Sequence, residues 1–79
     1  MRVVVSSPNN VLFEEDSKKV FLPLKGGDIL VMENHAPLVG VLREGDVRCN
    51  LSAGGEKSIR ISRGVVMVKD NKVEVLSRL

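Results

Sequence analysis

Seventy-nine residues, 43% hydrophobic and 28% charged, make one small globular domain and exclude a chain left disordered for want of apolar residues. Twelve Lys and Arg stand against ten Asp and Glu, with no cationic run longer than Lys18-Lys19, so even with a pI near 9.0 charge alone gives little footing for nucleic-acid binding. The single cysteine, Cys49, cannot close an internal disulfide, which suits a reducing compartment, and neither an apolar leader nor a membrane-spanning run of about 18 residues is present.

Residues 2–7 (RVVVSS) are mostly β-branched and read as a strand, and Pro8-Asn9-Asn10 reads as a turn. Residues 11–16 (VLFEED) and 18–22 (KKVFL) read as two strands joined tightly near Ser17. A helix across 10–22 is the other reading, but the apolar positions do not hold a 3.6-residue face. On the two-strand reading, Glu14-Glu15-Asp16 would face Lys18-Lys19 across the turn. Gly26-Gly27 is a turn signal, 29–32 is a short apolar strand, and Pro37 holds Ala36 extended before a strand over 37–42.

Residues 46–52 alternate, with Val47, Cys49 and Leu51 on one face, and 57–62 alternate again through Ile59 and Ile61. These five are expected in the core, and Phe13 and Phe21, inside apolar runs, are expected there too. Ala53-Gly54-Gly55 joins the two alternating strands as a hairpin. Gly64 interrupts the chain before a strand over 65–69, and Asp70-Asn71 is a two-residue hairpin turn because both residues tolerate positive φ. Residues 73–76 close the series. Turns this frequent leave no room for βαβ crossovers, so the expected fold is all-β: a flattened antiparallel sandwich or barrel of about eight to ten short strands. It occupies residues 1–79 as a single domain.

Chemistry is sparse. His35 is the only histidine, and no nucleophile or orienting carboxylate is tied to it by spacing. One Cys and one His cannot build a zinc site, and neither glycine pair opens a helix as a phosphate cradle requires. No catalytic residue, metal site, nucleotide site or cofactor is expected.

The spelling is more specific than the physics. Leu22-Pro23, the Gly26-Gly27-Asp28 loop, Ile29-Leu30-Val31 and then His35-Ala36-Pro37-Leu38 resemble the N-terminal β-domain of the epsilon subunit of the F-type ATP synthase. Ser7-Pro8, Leu42-Arg43-Glu44-Gly45, Ser62-Arg63-Gly64-Val65 and the segment Asn71 to Leu76 extend the resemblance over nearly the whole chain. Leu24, Leu30 and Arg63 stand where the family usually has glycine, and Glu33-Asn34 stands where it usually has Pro-Gly.

The resemblance implies a non-catalytic central-stalk subunit that docks on the gamma subunit and the c ring and couples proton flow to ATP synthesis. It implies peripheral attachment, through that complex, to the cytoplasmic face of a bacterial inner membrane. Asp28 and His35 would lie at the c-ring end, and Leu38, Val39 and Gly40 would face gamma. The family's inhibitory C-terminal helical hairpin is not expected, because only Ser77, Arg78 and Leu79 follow the last predicted strand. The competing class is a small nucleic-acid-binding β-barrel, favoured by size and pI but short of aromatic residues, since the chain has two Phe and no Tyr or Trp. An independent enzyme has no supporting constellation.

Overall fold

The computed structural model describes residues 1–78. Eight strands carry most of them, in the order β1 (Arg2–Ser6), β2 (Val11–Leu24), β3 (Gly27–Met32), β4 (Leu38–Leu42), β5 (Gly45–Leu51), β6 (Glu56–Ile61), β7 (Gly64–Lys69) and β8 (Lys72–Ser77). The sheet runs β1-β8-β7-β4-β2-β5-β6, with β3 paired on β2 and β1 also reaching β2. It folds over itself as the expected sandwich: β1, β8, β7 and β4 form one layer, and β3, β2, β5 and β6 the other.

The strand β2 joins the layers. Residues 11–24 form one strand of 14 residues, not two strands meeting at Ser17. The segment 11–22 holds no Gly or Pro to end it, and a β-bulge between Ser17 and Lys19 bends it instead. Its first half pairs with β1 and its second half with β3 and β5. With no turn at Ser17, the acidic run does not meet Lys18-Lys19. The register sets Arg2 opposite Asp16, and Arg2 lies 3.3 Å from both Glu14 and Asp16. The Asp16 hydrogen bond, first among the causes, raises the Arg2 pKa. At the bend the buried Met1 α-amine donates to the Ser17 carbonyl at 3.0 Å, and the Ser17 N–H donates to the Met1 carbonyl at 2.8 Å.

The N- and C-terminal strands β1 and β8 pair in parallel, Val3 against Val73 and Val5 against Val75, in an otherwise antiparallel sheet. These four valines, at most 1% exposed, are the centre of the core on one layer. Val20, Leu22, Val31, Val47, Cys49 and Ile61 supply the other. The alternation over 46–52 and 57–62 holds: Val47, Cys49 and Ile61 are buried, and Leu51 and Ile59 pack against the core half-buried.

The turns follow their residue types. Asp70 and Asn71 both take positive φ, 52° and 58°, as a two-residue hairpin needs. Asn34, where the resembled family usually has glycine, takes φ 62°, a region asparagine tolerates better than most residues. Gly64 is the first residue of β7 and not a break before it. A Cβ there would sit 2.0 Å from the Leu76 carbonyl oxygen, so only glycine lets β7 and β8 pair this closely.

Candidate docking surface

The outer face of the β1-β8-β7-β4 layer is apolar and uncovered. Val39 is 76% exposed, Val41 55%, Val65 49%, Met67 45% and Leu76 48%. The register makes them neighbours: Val39 faces Met67, Val41 faces Val65, and Val65 faces Leu76. Val4 and Glu74 continue the patch along β1 and β8, where they pair directly. The result is a shallow apolar concavity across four strands. Scattered apolar residues on a surface need no explanation, but a contiguous rimmed patch marks an interaction site.

Alternation explains where the sequence-derived gamma candidates fall. Along β4, Val39 and Val41 point outward, whereas Leu38 and Leu42 point into the sandwich. Gly40 is half-buried, with the position of a Cβ 2.9 Å from the Leu24 side chain. Of Leu38, Val39 and Gly40, then, only Val39 presents a side chain on the open face. The face also contains Val41, Val65, Met67 and Leu76, which residue-by-residue reasoning missed. For Val41, Val65 and Met67 the signal was present: residues 38–42 (LVGVL) and 64–68 (GVVMV) are apolar at both parities, whereas Leu76 lies on a strand that alternates. A strand that is apolar on both faces needs a cover on both.

Asp28 is exposed at the start of β3, beside the Lys25-Gly26 turn, and its carboxylate pairs with the Arg43 guanidinium. His35 lies beyond the far end of β3, where its backbone N–H donates to the Met32 carbonyl at 3.2 Å. Its Nδ1 lies 2.7 Å from the Ala36 carbonyl oxygen, to which it donates. The neighbouring Asn34 N–H donates to the Asn71 side chain at 2.8 Å, which ties this loop to the β7–β8 hairpin. Asp28 and His35 are therefore not one patch, as their expected common end required. They flank β3, whose span from Asp28 to Met32 covers about 13 Å. The sequence places both in loops within one short stretch, but the intervening strand carries them to opposite ends of the sandwich.

Phe21 also departs from expectation. It points out of the sandwich between the inward Val20 and Leu22, and is half-buried under Arg48. Phe13 is in the core at 7% exposure. Among the described residues, no group of three or more His, Cys, Asp or Glu could hold a metal ion, and no helix is long and apolar enough to cross a membrane.

Comparison with known proteins agrees with this architecture. The family described as the ATP synthase Delta/Epsilon chain β-sandwich domain matches residues 1–78. The ATP synthase epsilon chain of Desulfitobacterium hafniense (strain DSM 10664 / DCB-2) is 42% identical over 74 residues, which is 94% of this chain and 54% of that one. The epsilon chain of Sulfurovum sp. (strain NBC37-1) is 35% identical over 72 residues, 91% of this chain and 56% of that one. The chain thus spans about half the length of these curated relatives. The fold recurs at 18% identity and TM-score 0.87 in a chain of the Euglena gracilis mitochondrial ATP synthase, OSCP/F1/c-ring, over 95% of this chain and 48% of that one. It recurs at 15% identity and TM-score 0.83 in the central stalk/c-ring of the Tetrahymena thermophila mitochondrial enzyme, over 100% of this chain and 63% of that one. With the family matched along the whole described length, this chain belongs to the ATP synthase delta/epsilon family, as its β-sandwich domain.

Proposed function

We propose that the chain is a non-catalytic rotor subunit of a proton-translocating F-type ATP synthase. It docks on the gamma subunit and the c ring and helps hold them together while proton flow turns the ring. It is attached peripherally, through that complex, to the cytoplasmic face of a bacterial inner membrane. The observation that carries this reading is the open apolar face centred on Val39, Val65 and Met67, which we assign to gamma. At one end of the sandwich the edge formed by the β2–β3 turn and Asp28 faces the ring; His35, at the other end, is left out of that contact. A stiff, close-packed sandwich suits the transmission of torque, because it deforms little under load.

The nucleic-acid alternative lacks a stacking platform: Phe13 is buried and one face of Phe21 is covered by Arg48.

The test is reassembly of the purified chain with an ATP synthase stripped of its own epsilon chain. Val39→Asp leaves the core untouched and places a charge where an apolar contact should form. Burying a valine contributes about 1.5–3 kcal/mol, so affinity should fall by at least about tenfold. Asp28→Lys should leave gamma binding intact and weaken only assembly on the ring. Unchanged binding of Val39→Asp would remove the apolar face from the interface and the reading with it.

A further inference from the structure

The side-chain charge of this chain is not evenly spread. At the end of the sandwich where β2 turns into β3 and β6 into β7, the chain places Lys25, Arg43, Arg60, Arg63 and Arg78 against only Asp28, Glu44 and Asp46. Arg48 borders the same end, sharing a depression with Asp28, Arg43 and Asp46, so cations outnumber acids there. All three acids there are already paired. Asp28 is held by Arg43, and Arg60 lies 3.6 Å from Glu44 and 3.5 Å from Asp46. Lys25, Arg63 and Arg78 have no acid within ion-pair distance among the described residues.

These three cations converge on one notch. Its floor is Val41, Gly64 and Val65, and the cations stand around it with Arg43 and Glu44. Backbone hydrogen bonds fix the segments that carry them. The Lys25 N–H donates to the Val41 carbonyl at 2.8 Å, and the Arg78 N–H donates to the Arg63 carbonyl at 2.6 Å. Between them, Val41 pairs with Val65 and Gly64 with Ser77. With Arg43, the cations therefore extend from four neighbouring strand ends, those of β2, β4, β7 and β8. Val41 and Val65 belong to the notch and to the open apolar face alike, so the two are continuous.

We infer that the notch receives the acidic end of the same partner segment that covers the apolar face. The occupant is an amphipathic protein segment: apolar side chains lie over Val39, Met67 and Leu76, and one or more carboxylates reach Lys25, Arg63 and Arg78. Charge complementarity argues for it, because three exposed cations at an interface rim steer an acidic partner and fix its register. The apolar floor favours a protein segment over a free anion, which would leave Val41 and Val65 uncovered. This inference rests on the docking reading above and adds the chemistry of the partner.

The test measures binding to ATP synthase stripped of its epsilon chain, at low and at physiological ionic strength. Three proteins are compared: the unaltered chain, the Arg63→Glu/Arg78→Glu variant and Val39→Asp. Both arginines are exposed and their mutual link is through the backbone, so the double variant should keep its circular dichroism spectrum and melting temperature. The unaltered chain should bind more weakly as salt rises. The double reversal should bind at least about tenfold more weakly at low salt and lose that salt dependence, and Arg63→Lys/Arg78→Lys should recover most of the affinity. If Val39→Asp abolishes binding while the double reversal binds like the unaltered chain, docking stands and the acidic anchor is overturned. If neither variant changes binding, both readings fall. A parallel arm uses vesicles of phosphatidylglycerol and of phosphatidylcholine. Binding to the anionic vesicles alone, lost in the double reversal while binding to the complex is kept, would make the occupant a lipid phosphate and overturn the protein segment.

Discussion

The Arg48 guanidinium lies over the Phe21 ring, its central carbon 4.7 Å from the ring centroid. The two residues are cross-strand partners of β2 and β5, so the contact is set by register and not by chance. It explains how an aromatic residue tolerates the outer face of the sandwich. The cation shields one side of the ring, and Leu30, its partner on β3, flanks it. A cation–π pair at a partly exposed site contributes about 0.5–1 kcal/mol. A double-mutant cycle on Phe21→Leu and Arg48→Met, followed by urea unfolding, should return a coupling of that size. A coupling indistinguishable from zero would show that the ring and the cation are neighbours without attraction.

Ile61 tests the core. It is 2% exposed, at the end of β6 opposite Gly45, and packs with Val47 and Cys49. Truncation to alanine should destabilise the domain by about 2–5 kcal/mol, the usual range for a buried isoleucine. Small domains have about 5–15 kcal/mol in total, so Ile61→Ala should lie near the edge of folding at room temperature. A loss below about 0.5 kcal/mol would mean that the inward face of β6 has been misassigned.

Much of this core was legible before any coordinates, and the reason is physical. Residues 46–52 and 57–62 alternate because each has one face in the core and one in water, and period-two patterning identifies the buried face. The Asp70-Asn71 turn was legible because few residues accept positive φ twice in succession. The bend at Ser17 was not, because a β-bulge has no reliable residue signature and polar Glu14 to Lys19 look like a connection. The β1–β8 parallel pair was hidden as well, since pairing between distant strands leaves no local mark. For the docking face, Val39 was found through resemblance, whereas Val41, Val65, Met67 and Leu76 looked like ordinary strand residues. Lack of alternation in β4 and β7 distinguishes the first three, and that signal becomes meaningful once nothing is seen to cover them; Leu76, on the alternating β8, has no such mark.

Gly64 and Gly26 form a matched pair for testing backbone proximity. A Cβ at Gly64 would meet the Leu76 carbonyl oxygen at 2.0 Å and the Ser77 Cα at 3.0 Å, whereas one at Gly26 would meet nothing within 4 Å. Backbone atoms cannot rotate aside as a side chain does, so Gly64→Ala must separate β7 from β8. It should lower stability by at least about 2 kcal/mol, whereas Gly26→Ala should stay within about 0.5 kcal/mol. Thermal melts of the two variants decide the matter. Equal melting temperatures would contradict the close approach of these strands.

Cys49 gives the domain a pH dependence on the alkaline side. The thiol is fully buried on β5, and burial, with a smaller contribution from the Glu15 charge and partial relief from Ser17, pushes its pKa up to about 11. In the unfolded chain a cysteine titrates near 8.5. The folded state therefore holds the proton more tightly, and this group favours folding fully below the unfolded value. That contribution is lost as pH rises from about 8.5 through the folded value of about 11. The loss by the upper limit is on the order of 3 kcal/mol. Lysines titrate in the same range and would bend any single curve, so the comparison needs a variant. Cys49→Ala should be less stable at pH 7, because it leaves a small cavity, but its urea midpoint should fall less steeply toward pH 10.5. The two curves should converge as the thiol advantage disappears. Parallel curves from pH 7 to 10.5 would mean that Cys49 ionises as readily in the folded domain as in the unfolded chain, which its burial between Val47 and Leu51 forbids.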